Sequence, residues 1–183
     1  PDDPGVKHGL AWAHWRVGKK AEGLKFAEEF LASLGDDARP LSWANLIVAF
    51  DARDRGDEQT MLEHIGALED SVDHALASGV NTAWLRFGKA AILIMRGQNA
   101  LALEHFEIGV FRDVIQTDQL DRFFTMLGVN DNPEFIDLRN RHRDYMTSQA
   151  NELLAIACGP DGFEIWQPSA ETCGRSAAPT VPN

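Results

Sequence analysis

Apolar residues recur along the chain at the three- and four-residue spacing of amphipathic helices, and glycines punctuate them. Leu10, Ala11, His14 and Trp15 share one face of a helix predicted over Val6–Val17, which Gly18 ends. Lys19–Leu34 follows with Leu24, Ala27, Phe30 and Leu31, and Gly35-Asp36-Asp37 closes it. The next helix, Leu41–Arg55, is entered after Pro40 with Ser42 as its N-cap and turns at Gly56-Asp57. Met61, Ile65, Leu68, Val72 and Leu76 stripe a long helix over Glu58–Ser78, with Glu63, Glu69, Asp70 and Asp73 facing away, until Gly79. The apolar run that begins at Trp84 reverses at Arg96-Gly97-Gln98. Its second helix sets Ala102 and Phe106 on one face and continues through Val110 and Val114 to about Ile115.

After Thr117-Asp118 the pattern changes. Leu120, Phe123, Phe124 and Leu127 predict a short helix stopped by Gly128, and Asn130-Asp131-Asn132-Pro133 opens a longer one to Ala157. Its stripe contains Phe135, Leu138, His142, Tyr145, Gln149, Leu153 and Ile156. From Cys158 the helical signal stops: Phe163-Glu164-Ile165-Trp166 alternates like one short extended segment, and Ala177–Asn183 is expected to be disordered. The expectation is an all-α fold of roughly eight helices with short connections. Residues 5–116 form about three hairpins, 117–157 the closing helices of the same domain, and 158–183 a non-helical tail.

The hairpins repeat. Gly18, Gly56 and Gly97 are spaced by 38 and 41 residues, and Ala11, Ala49 and Ala90 each stand seven before their glycine. The later two units also align Trp43 with Trp84, Leu46 with Phe87 and Arg55 with Arg96, while Gly23, Met61 and Ala102 stand five past the turns. Trp84-x2-Phe87-Gly88 and Ala102-x3-Phe106 resemble the tetratricopeptide-repeat family. That resemblance implies antiparallel hairpins stacked as an α-solenoid, whose first helices line a concave groove that holds a peptide. The units exceed the family's period of about 34 residues, Met61 stands where a small residue is usual, and two registers fit. Asn132-Pro133-Glu134-Phe135 before a closing helix is also similar to the end of such arrays in bacterial regulators, where they follow a DNA-binding or nucleotide-cyclase domain.

Charge narrows the partners. A net charge of −11 argues against nucleic acid as a partner of this segment, because phosphate binding rests on clustered Lys and Arg. No window reaches the about 18 apolar residues of a membrane helix, and no secretory signal opens the chain, so a soluble, cytoplasmic protein is expected. It begins at Pro1 without Met and reads as a piece of a longer protein. Cys158 and Cys173 belong to no CxxC pair. They read as free thiols, with a disulfide across the intervening loop as the alternative.

Candidate chemistry is sparse. His64 and His74 lie about 80° apart in azimuth and ~15 Å apart along one helix, too far to share an ion. Glu104-His105-x-Glu107 lacks the i, i+4 pairing of a His-Glu-x-x-His site. The adjacent pairs Glu28-Glu29, Asp36-Asp37 and Glu69-Asp70 suit a solvated surface rather than acid–base work. No phosphate loop, dinucleotide fingerprint or nucleophile elbow occurs, so no catalytic residue, metal or cofactor is assigned. The tryptophans say more. Trp12, Trp15, Trp43 and Trp84 all fall on first helices, where they serve either packing between hairpins or an inner binding face. The expected partner-binding residues are His8, Trp12, Trp15, Arg16, Trp43, Phe50 and Arg53. The function expected is a module that binds a protein or peptide within a larger bacterial regulatory protein. The rivals are a small-ligand receptor or enzyme with a pocket near His8, Trp12, His14 and Trp15, and homo-oligomerisation through Phe123, Phe124 and the closing helix. Arg139, Arg141 and Arg143 form a basic strip that the chain's own acids are expected to neutralise.

Overall fold

Three of the helix ends that the glycines predict are built alike. In a computed structural model that describes residues 3–34, 43–112, 116–159 and 168–176, Gly18, Gly56 and Gly97 adopt φ values of 81°, 75° and 72°. This left-handed conformation is open to glycine at little cost. At each turn the N–H after the glycine donates to the carbonyl five residues before it: Lys19 to His14 at 3.0 Å, Asp57 to Ala52 and Gln98 to Leu93 at 2.8 Å. These bonds satisfy helix-end carbonyls that would otherwise lack a partner.

The described residues form α1 (Pro4–Arg16), α2 (Lys20–Ala32), α3 (Trp43–Arg55), α4 (Glu58–Ala77), α5 (Ala83–Met95), α6 (Asn99–Arg112), α7 (Thr117–Leu127), α8 (Pro133–Ala157) and α9 (Ala170–Ser176), with no strand among them. Side chains fix several starts: Asp3 accepts from Gly5 and Val6, Asp57 from Thr60, Thr82 from Leu85, and Asn132 from Glu134. The N-cap read at Ser42, the turn at Gly35-Asp36-Asp37, the helix end near Val114 and Ile115, the extended segment Phe163–Trp166 and the tail Ala177–Asn183 lie outside the described residues.

The packing order is that of stacked hairpins. α1 pairs with α2, α3 with α4 and α5 with α6; α2 then packs on α3, α4 on α5, and α1 also touches α3. The aligned Ala11, Ala49 and Ala90 are fully buried, since a small side chain lets neighbouring helices approach. At Gly23 the approach is closer still: a Cβ there would lie 2.9 Å from the Trp15 backbone nitrogen and 3.0 Å from the Ala11 carbonyl oxygen. Along α5, α6, α7 and α8 the core becomes a cluster of phenylalanines. Phe106 packs against Phe87 and Phe124 at 5.1 Å between ring centroids, and against Phe123 and Phe135 at 5.8 and 5.9 Å.

Three expectations need correction. The stripe on α8 is buried only at Phe135, Leu138 and His142. Tyr145, Leu153 and Ile156 are exposed, because α8 runs on past the helices it packs against. Residues 170–176, expected to be non-helical, form α9, which packs on α8. The cysteines, read as free thiols, are joined: Cys158 and Cys173 form a disulfide with Cα atoms 5.6 Å apart. The basic strip behaves as expected at two positions, with Arg139 3.6 Å from Asp121 and Arg141 bonded to Glu107 and Asp137.

Because Phe106 is fully buried at the centre of the aromatic cluster, Phe106→Ala is expected to cost about 3–5 kcal/mol of unfolding free energy, measured by urea denaturation. Reduction of Cys158–Cys173 is expected to raise amide hydrogen exchange across residues 168–176 while leaving α1–α6 protected, as mass spectrometry would show.

Candidate functional site

The first helices of the three hairpins meet along an aromatic row. Trp12 of α1 lies 5.4 Å from Trp43 of α3, and Trp43 meets Trp84 of α5 edge-on at 5.9 Å. Beside this row opens a hollow of about 610 Å³, walled by Trp12, Trp15 and Arg16 of α1, Phe50, Arg53 and Asp54 of α3, and Trp84 and Phe87 of α5. Its far side is α7, which contributes Asp121, Arg122, Phe123 and Met126. Trp15 stacks on Phe50 with ring planes 16° apart, while Trp84 stays 45% exposed, a large aromatic offered to solvent at the edge.

Cations rim these rings. Lys20 Nζ sits 5.3 Å from the centroid of Trp15 and 2.8 Å from Asp54 Oδ2. The Arg53 guanidinium lies 5.2 Å over Phe50, reaches Asp54 Oδ1 at 3.2 Å, and donates to the Leu127 carbonyl at 3.5 Å. Such ring faces attract cations and hold them in place. Asp54 is kept below its ordinary carboxylate value, first by the hydrogen bond from Lys20 and then by the one from Arg53. Arg122 pairs with Asp118 at 3.1 Å. Arg16, exposed at the mouth, has no ion pair among the described residues.

Of the residues expected to bind a partner, Trp12, Trp15, Arg16, Phe50 and Arg53 border this one hollow. Trp43 stands behind it, packed against Trp12, Trp84 and Phe123. His8 turns away and lies on Phe30 of α2 at 5.0 Å, and His14 lies on Phe26 at 5.5 Å, so the pocket imagined around both histidines and both tryptophans divides. Sequence reasoning missed Lys20 and Asp54, which meet across 34 residues, and the whole wall supplied by α7. The amphipathic pattern of α7 was visible, but not the surface on which it lies.

Two further histidines, His64 and His105, sit between helices. His64 Nδ1 is 2.9 Å from the side-chain oxygen of buried Asn45, and His105 is 3.3 Å from the Arg86 guanidinium. Burial pushes His8, His64 and His105 below the ordinary value of 6.5, and Arg86 adds to the effect at His105. The unfolded chain therefore takes up these protons first as pH falls. Stability is full above the unfolded value and declines as pH drops through it towards the folded values. Urea midpoints are expected to fall between about pH 7.5 and about pH 5.5, with a smaller fall in His64→Gln.

Compared with protein-family models, curated proteins and solved structures, the chain matches none, so the site stands on its own geometry.

Proposed function

We propose that this chain is a protein-interaction module that holds a peptide or a neighbouring domain on the inner face of a tetratricopeptide-repeat-like α-solenoid, within a larger bacterial regulatory protein. The observation that carries this reading is the hollow itself. Aromatic side chains from three successive first helices converge there beside an exposed Trp84 and an Arg16 with no ion pair among the described residues. Large aromatics and arginines are the residues that dominate the energetics of protein interfaces.

A second reading is a small-ligand receptor. It is favoured by α7, which walls the hollow on one side, and by a volume of about 610 Å³, within the range of small-molecule sites. On location, the disulfide weighs towards an oxidising compartment and against the cytoplasm expected from the sequence. Among the described residues no helix is long and apolar enough to cross a membrane.

Affinity capture with the native chain and with a Trp12→Ala, Arg16→Ala double variant tests the interaction reading. A partner held by the native chain is expected to be lost from the variant while its circular dichroism stays native, the urea midpoint falling only by the loss of the part-buried Trp12 contact with Trp43. Retention of the partner by the variant would move the interface away from the hollow.

A further inference from the structure

The inner face already carries one helix. α7 sets Phe123 5.7 Å from Trp43 and 5.5 Å from Phe87, and buries Leu120, Phe124 and Leu127 on the same side. Asp118 and Arg122 stay exposed, and Arg122 borders the hollow. The surface made by the first helices thus accepts a short amphipathic helix, and the hollow is the part of that surface α7 leaves uncovered. Trp12 is part-buried and Trp84 exposed, so an apolar side chain laid on these two rings displaces water at a gain.

The charges at the mouth select among helices. Arg16, Lys20, Arg53 and Arg122 face the hollow against Asp54 and Asp121, a local excess of positive charge on a chain whose net charge is −11. Asp54 is already shared by Lys20 and Arg53, which fixes both cations in place, while Arg16 stands without an ion pair among the described residues. Partner carboxylates arriving here would meet cations ordered in advance, and that lowers the cost of binding.

Resting on the interaction reading above, we propose that the hollow receives a second amphipathic helix, supplied by a partner protein. That helix lies alongside α7, with large apolar side chains against Trp12 and Trp84 and acidic residues flanking them towards Arg16, Lys20 and Arg53. A helix of about three turns, close to the length of α7, presents two or three apolar side chains along one face.

Three fluorescein-labelled peptides of about twelve residues test this with the full chain by anisotropy. The first carries Leu and Phe at i, i+3, i+4 and i+7 with Glu at the flanking positions. The second replaces each Glu by Lys, and the third keeps Glu but replaces Leu and Phe by Ala. Binding of the first alone is expected, weakened about tenfold by Arg16→Glu, by Trp84→Ala and by added salt, and unaffected by Arg143→Glu on α8. If the Lys peptide binds as tightly in a Trp84-dependent way, the acidic selection is overturned while the interaction reading stands. If no peptide binds, and indole-3-acetate quenches the tryptophans to saturation, both readings give way to a small-ligand site. A doubling of mass in light scattering, abolished by Trp84→Ala, would make the occupant a second copy and overturn a separate partner.

Discussion

Phe106 touches Phe87, Phe123, Phe124 and Phe135, and through them α5, α7 and α8 share one set of contacts with α6. Each ring meets its neighbours tilted or edge-on, the arrangement in which a positive edge faces a negative ring face. This cluster turns a row of hairpins into a closed object. A hairpin stack contacts only its neighbours and would otherwise end in an uncovered apolar face. Here α7 and α8 cover that end, and they do so by inserting aromatics between the layers rather than by adding another copy of the unit.

The hollow follows from the same closure. α7 cannot bury Phe123 against Trp43 and Phe87 without crossing the inner side of the first helices, and it is too short to reach across all three. What remains open lies between α7 and α1. Arg53 marks the border: it reaches back from α3 to the Leu127 carbonyl at the end of α7 and at the same time fixes Asp54 on the open side. Closing helix and candidate site are therefore linked through one side chain.

Much of this architecture was readable from local signals. The turns at Gly18, Gly56 and Gly97 and the alanines seven residues before them each report a requirement met within one hairpin, a positive φ or a close helix crossing. Trp12, Trp15, Phe50 and Arg53, expected from their place in the unit to share one side of the hairpins, border a single hollow. Position relative to distant elements was not readable in this way. An amphipathic stripe tells that α7 buries one face but not what covers it, and no periodicity announces that Lys20 meets Asp54. The stripe on α8 promised more burial than Tyr145, Leu153 and Ile156 receive, because a pattern of apolar residues cannot state where the neighbouring helices stop. Two cysteines in isolation gave no framework from which to infer their bond.

The covalent link between Cys158 and Cys173 joins residues 15 apart, both later in the chain than every residue of the hairpins. Chains are made from the N-terminus, and helical hairpins can settle on the units already built. Among the described residues the apolar core around Phe106 extends no further along the chain than Leu138, so the bond lies outside it. The bond fastens α9 to the end of α8 without taking part in the core, so that core owes none of its contacts to oxidation.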